Sequence, residues 1–315
     1  MPDLLPAPVR GAIVVTLLVL NTLAWCLLLL PVALVKLALP FPGVRQRVDP
    51  VLNALATAWI ACNGALLWRK RRVRWDVQGT DDLRPGDWHM VTCNHQSWVD
   101  IFVLQQTLSR RIPMLKFFLK QQLLYVPVIG LAWWALDFPF MRRHDKAALR
   151  KHPERRLQDR EATRRACEKF ALVPTSVMTF PEGTRFTPAK HASQAPRYRH
   201  LLKPKAGSLA MTLNAMGEQF RSLLDVTIVY PDGAPSFWAL MCGRCDQVIV
   251  RVRQLPIAPD LRLGDYTADS VFRRRFHQWL DVLWQDKDQQ IEALLQGEPA
   301  PAPAAQPEAA CSEPS

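Results

Sequence analysis

Residues 11–35 are apolar and carry no charge, which is enough for a bilayer-spanning helix of about 20 residues. A second apolar run, residues 51–68, is diluted by Asn53, Thr57 and Asn63 and is marginal as a span; it stops at Arg69-Lys70-Arg71-Arg72-Val73-Arg74. Beyond that cluster, short apolar runs alternate with amphipathic stretches, the pattern of an α/β domain. Residues 88–92 predict a buried strand, and 101–108 continue a helix begun near Ser97. Residues 176–180, 225–230 and 247–252 predict three further strands. Near the C-terminus, Phe272, Phe276, Trp279, Leu280, Leu283 and Trp284 recur at helical spacing after a cap at Asp269 or Thr267, a stripe that reads as core. Residues 298–315 are Pro, Ala and Glu without apolar periodicity and are expected to be disordered.

The pattern divides the chain into an N-terminal membrane anchor with a basic collar (residues 1–75), an α/β unit (76–297) and a tail (298–315). A length of 315 residues suffices to bury a core. Hydrophobic residues make up 49% of the chain and concentrate near its start, so a membrane-associated protein is the natural class. Cleavage as a signal peptide is not expected: Asp3 and Arg10 leave no net basic region before the run, and the run is too long.

Residues 1–75 hold nine Arg or Lys against two Asp, so this quarter supplies +7 of the formal +12. Five of those cations lie in the 69–74 cluster, which by the positive-inside rule keeps the rest of the chain cytoplasmic and sets the collar among anionic headgroups. Lys36, Arg45 and Arg47, in the loop between the apolar runs, would be on the wrong side of two full crossings. That favours a hairpin inserted from the cytoplasmic face, with a two-span anchor as the alternative. Nucleic-acid binding is disfavoured, because the charge is mostly in the collar and no nucleic-acid motif accompanies it. Seven scattered cysteines do not form a disulfide framework and suit a reducing compartment. Cys242-Gly-Arg-Cys245 has the spacing of half a zinc site, but no second pair completes four ligands, so no metal is expected. The charged stretch 142–169 reads as a solvated helical face or as a docking surface for an acidic carrier.

Two motifs carry the chemistry. In Asn94-His95-Gln96-Ser97-Trp98-Val99-Asp100 a histidine and an aspartate flank a strand-to-helix junction. Imidazole titrates near neutrality and suits a general base, and Asp100 is placed to fix its tautomer. Residues five apart on a regular helix point about 140° apart, so the contact requires His95 to precede the helix. Ser97 to Asp100 also has the form of a capping box, a competing role for the same carboxylate. The second motif, Phe180-Pro181-Glu182-Gly183-Thr184-Arg185, follows a strand and joins a glycine that admits an anion, a hydroxyl and a guanidinium clamp.

In both motifs, over roughly residues 70–255, the chain resembles the 1-acyl-sn-glycerol-3-phosphate acyltransferases, the PlsC-type bacterial enzymes, closest to their YihG-like inner-membrane branch. The resemblance implies a glycerol-3-phosphate acyltransferase-like mixed sheet flanked by helices. It implies that His95 is the base, Asp100 its partner, and Glu182, Gly183, Thr184 and Arg185 part of an acceptor-phosphate site. Arg142, with Arg143 as alternative, stands where the family places a further arginine, and Lys205 in Lys203-Pro204-Lys205-Ala206-Gly207-Ser208 adds charge there. Gly207 is expected to open a helix. The block Val226-Thr227-Ile228-Val229-Tyr230-Pro231 reads as a core strand with no side-chain role.

The expected reaction is acyl transfer from acyl-CoA or acyl carrier protein to lysophosphatidic acid, with no other cofactor, at a bacterial inner membrane. Backbone or Asn94 donors are expected to stabilise the oxyanion. Another lysolipid acceptor, such as lyso-ornithine lipid, and a non-catalytic lipid-binding protein are the alternatives. A variant mechanism makes Cys93 or Ser97 a nucleophile.

Overall fold

The computed structural model describes residues 5–39, 41–68, 73–141, 173–195, 197–262, 264–266 and 268–298. Two long helices come first, α1 (Ala7–Ala38) and α2 (Pro42–Trp68), both long and apolar enough to cross a membrane. The helical pattern therefore extends well beyond the uncharged runs. Lys36 lies in the last turn of α1, and Arg45 and Arg47 lie on α2 rather than in a loop.

There follow β1 (Arg74–Gln78), β2 (His89–Cys93), α3 (Val99–Leu108), β3 (Leu115–Phe117), β4 (Leu119–Lys120), α4 (Ile129–Ala135) and β5 (Phe140–Met141). After residues 142–172 come β6 (Ser176–Thr179), α5 (Pro188–Ser193), α6 (Gly207–Met216), β7 (Ser222–Val229), α7 (Phe237–Met241), β8 (Gln247–Leu255), α8 (Pro259–Arg262) and α9 (Ser270–Gln296). Gly207 opens α6 as expected. Asp269 caps α9, its Oδ1 accepting from the amides of Val271 and Phe272 at 2.7 and 3.0 Å. The collar residues 69–72, Thr267, Arg142 and Arg143, the rest of the charged stretch and the tail beyond Glu298 lie outside the described residues.

Six strands form one mixed sheet in the order β1-β8-β7-β2-β6-β3. Only β7 and β8 pair antiparallel; the other neighbours are parallel. This is the mixed α/β sheet with flanking helices, preceded by two apolar helices, that the sequence led us to expect. Successive residues alternate across it. Met90, Val177 and Leu223 face α6 and α9, while Val91, Met178 and Leu224 face α3 and the end of α2. The aromatic stripe of α9 is core: Phe276, Leu280 and Trp284 are fully buried.

A charged clamp holds α9 on the sheet. Fully buried Lys287 bonds Val226 O at 2.7 Å, Thr227 Oγ1 at 3.0 Å and Asp225 Oδ1 at 2.8 Å. Asp225 also receives Arg253 at 2.7 Å and the Thr92 hydroxyl at 3.1 Å. Burial of charge is tolerable because every group is paired.

The first helix lies along the rest of the fold at both of its ends. At Gly11 a Cβ would come within 2.8 Å of Cys242 Sγ and 3.0 Å of the Trp238 ring, so only glycine allows α1 this close to α7. At the other end Lys36 Nζ donates to Ala135 O at 3.0 Å and pairs with Asp137 and Asp49, while Arg45 from α2 reaches Asp137 at 2.8 Å. Between them, Asn21 bonds Asn63 at 2.9 Å and Trp59 bonds Thr22 at 3.2 Å, joining α1 to α2. The opposite face of α1, with Leu17, Leu20, Leu27, Leu28 and Leu34, is exposed.

Candidate active site

Three neighbouring parallel strands, β7, β2 and β6, end on one edge of the sheet, where open α/β sheets bind ligands. Each delivers a segment to the site. At the end of β2, Asn94 is fully buried and its side chain is used at both ends: Nδ2 donates to Ile228 O at 2.8 Å and Oδ1 accepts Ile228 N–H at 2.9 Å. This corrects the expectation of an oxyanion donor. Asn94 instead ties β2 to β7 and fixes where the chain leaves the sheet.

His95 therefore precedes the helix, as the dyad geometry requires. Its Nδ1 lies 2.9 Å from Asp100 Oδ2, and Asp100 is fully buried in the first turn of α3. The same oxygen accepts the amides of Gln96 at 2.7 Å and Ser97 at 2.8 Å. Capping and orienting roles coexist, and they share one oxygen. The other, Oδ1, accepts the buried Tyr230 hydroxyl at 2.8 Å. Ser97 Oγ accepts Val99 N–H at 3.1 Å and donates to Pro235 O. With Nδ1 engaged by a carboxylate, Nε2 is the nitrogen left for proton transfer. Phe180 stacks on the imidazole at 3.9 Å between ring centroids and 15° between planes, which holds the ring's orientation.

The turn after β6 supplies the second half. Glu182 is only 1% exposed; Oε1 accepts His95 N–H at 2.7 Å and Oε2 accepts Leu202 N–H at 3.0 Å. Both oxygens are thus consumed by backbone, so Glu182 corrects to a brace beneath the site instead of a group facing a phosphate. Burial outweighs the two donors and pushes its pKa up to about 7. Gly183 has φ +69°, and a Cβ there would lie 3.1 Å from Lys205 Nζ. Glycine is needed both for the left-handed backbone and for the lysine's approach. Lys205 is fixed in turn by its amide, 2.7 Å from Pro181 O. The structure thus brings Lys205, 22 residues further on, to the Gly183 turn.

Arg185 is exposed, with its guanidinium 5.1 Å from the centroid of the half-exposed Trp98 ring, a cation–π contact. The Thr184 hydroxyl accepts Lys190 Nζ at 2.8 Å, and the same ammonium bonds Arg185 O at 3.1 Å. Cations at 185, 190 and 205 therefore gather on the Gly183 turn, which Glu182 joins to the His95 amide, an arrangement suited to an anionic group beside a reacting hydroxyl.

Four participants escaped the sequence reading. Phe180 and Trp98 stand inside the motifs but had been given no role, and Lys190 carries no signal beyond its nearness to Arg185. Tyr230 had one: a buried tyrosine must find a partner for its hydroxyl. Cys242 and Cys245 are both buried, and neither is in a disulfide.

The profile of the Acyltransferase family matches residues 74–231, just over half the chain, from the first residue of β1 to the proline after Tyr230. Human 1-acyl-sn-glycerol-3-phosphate acyltransferase delta is 26% identical over 213 residues, covering 63% of this chain and 51% of that protein. The mouse gamma protein of the same name is 27% identical over the same span. The chain spans about half the length of these curated relatives. Among solved structures, the 1-acyl-sn-glycerophosphate acyltransferase PlsC from Thermotoga maritima aligns over 89% of this chain and 95% of that one, at 17% identity and a TM-score of 0.45. With its His95–Asp100 pair and its Glu182–Arg185 turn both inside the matched region, the chain belongs to the Acyltransferase family.

Proposed function

We propose that this protein is a 1-acylglycerol-3-phosphate O-acyltransferase, moving an acyl group from acyl-CoA or acyl carrier protein to lysophosphatidic acid in phospholipid biosynthesis. The observation that carries the reading is the His95 imidazole, oriented by Asp100 at 2.9 Å, with Arg185, Lys190 and Lys205 gathered on the Gly183 turn whose Glu182 accepts the His95 amide. His95 Nε2 takes the proton of the acceptor hydroxyl as its oxygen attacks the thioester carbonyl. The tetrahedral intermediate collapses, the C–S bond breaks, and the proton passes from His95 to the departing thiolate. The products are an ester and a thiol, and the chemistry needs no cofactor beyond the thioester. Arg185, Lys205 and Thr184 hold the acceptor phosphate over the Gly183 turn, with Lys190 as a further cation, and Arg142 is the candidate from the segment after β5.

Cys93 is a poor nucleophile for the alternative route. It is fully buried, and burial pushes its thiol well above the ordinary range.

The anchor is proposed to be a hairpin on one leaflet, with residues 1–75 as anchor, 76–297 as the acyltransferase unit beginning within β1, and the chain in the YihG-like branch of bacterial inner-membrane enzymes facing the cytoplasm. In support, Gly11 and Lys36 both touch the catalytic fold. Their separation along α1 is about 37 Å, more than the roughly 30 Å hydrocarbon core. A crossing helix would leave one end on the far side.

Purified protein in detergent, given lysophosphatidic acid with either thioester, should make phosphatidic acid, and His95→Ala should lower the rate at least about 100-fold, the range for general-base catalysis. Equal rates for parent and variant would refute the base; lysolipid binding by the parent without turnover would refute the acceptor.

A Gly43→Cys variant with the seven native cysteines replaced, its thiol between α1 and the body of α2, should react with a membrane-impermeant maleimide only in inverted vesicles. Labelling from the opposite face would mean two spans.

Glu182 gives a pH signature. Its folded pKa of about 7 exceeds the ordinary value of about 4.3, so the folded state holds the extra proton between them. Its contribution to stability therefore falls as pH rises from about 4.3 to 7. The difference in melting temperature between parent and Glu182→Gln should change across that window and flatten outside it; a pH-independent difference would refute the assignment.

A further inference from the structure

We propose that Tyr230 is a positioning residue for the dyad: by donating to Asp100 Oδ1 it fixes the carboxylate's rotation and sets how strongly Asp100 draws the proton on His95. The inference rests on the reading of His95 as base and extends it to a side chain on another strand.

Asp100 is fully buried, and its two oxygens are unequally loaded. Oδ2 takes three donors, His95 Nδ1, Gln96 N–H and Ser97 N–H, all from residues 95–97. Oδ1 takes Tyr230 OH, from the segment just past β7, at 2.8 Å. Those local donors hold one oxygen, and only the phenol holds the second, so the phenol stops the carboxylate turning about its Cβ–Cγ bond. Tyr230 is held in turn: it is 4% exposed and follows the part of β7 that Asn94 clamps.

The contact is electronic as well as geometric. A donor at Oδ1 draws negative charge from Oδ2 and weakens its stabilisation of the imidazolium. The phenol remains a donor across the working range, because burial first, and then the Asp100 charge, push its pKa well above the ordinary value. The other ionisable groups around the pair are Glu182 behind the His95 amide, Cys93 at the end of β2, Cys245 near the phenol, Asp225 and Lys287 at the sheet, and Arg185 against Trp98. Apart from His95 itself, Tyr230 is the side chain that donates a hydrogen bond to Asp100 among the described residues.

The test uses full-length protein, lysophosphatidic acid and acyl-CoA. In Tyr230→Phe, kcat should fall about tenfold, the scale of a lost bond to a charged group, with KM for lysophosphatidic acid unchanged. The acidic limb of the kcat profile should move to higher pH, since an unshared Asp100 charge favours the imidazolium. In an Asp100→Asn background Tyr230→Phe should add no further shift. Replacing Tyr230 by 3-fluorotyrosine, a stronger donor of nearly the same shape, preserves the packing and should move the limb to lower pH. An unmoved limb in both Tyr230 variants, or a loss expressed in KM, would overturn the inference and leave Tyr230 as packing. If His95→Ala retains activity, the failure lies in the reading of the base. If His95→Ala is inactive while the Tyr230 variants match the parent, only the present inference fails.

Discussion

A carboxylate with no exposure to water must have its charge met by donors, and at Asp100 that requirement organises the whole edge of the sheet. Its four donors come from the turn after β2 and the segment after β7. They can converge only if the two strands are neighbours in one register, which pairs Cys93 with Val226 and lets Asn94 reach Ile228. Glu182 repeats the logic one strand over, its carboxylate spanning the amides of His95 and Leu202. Two buried acids thus lock three strand ends around one imidazole.

Much of this was legible in the sequence because local chemistry dictated it. The break at Ser97, the Asp269 cap and the buried apolar runs of the strands depend on near neighbours, and each appears within a few residues of its expected place. The roles of Asn94 and Glu182 were not legible. Polar residues inside binding-type motifs resemble ligand contacts, and only the fold shows that their polar atoms are spent on backbone: Asn94 on Ile228, 134 residues away, and Glu182 on His95, 87 away, and Leu202, 20 away. Tyr230 was missed for the same reason: its partner is 130 residues earlier in the chain.

The helix pair shows the same limit. Charge between two apolar runs pointed towards a hairpin, but the pattern cannot reveal that Gly11 seats on α7 while Lys36 reaches Asp137 beside α4. Those contacts make α1 a beam along the catalytic unit with its leucine face outward.

The central claim is direct transfer between two bound substrates with His95 as base. Protein mixed with acyl-labelled thioester in the absence of acceptor and quenched within one turnover tests it. The account predicts no label on the protein, and labelled phosphatidic acid once lysophosphatidic acid is added. Label that first accumulates on the protein and is then chased into product would contradict it and make a buried Cys93 or Ser97 the nucleophile.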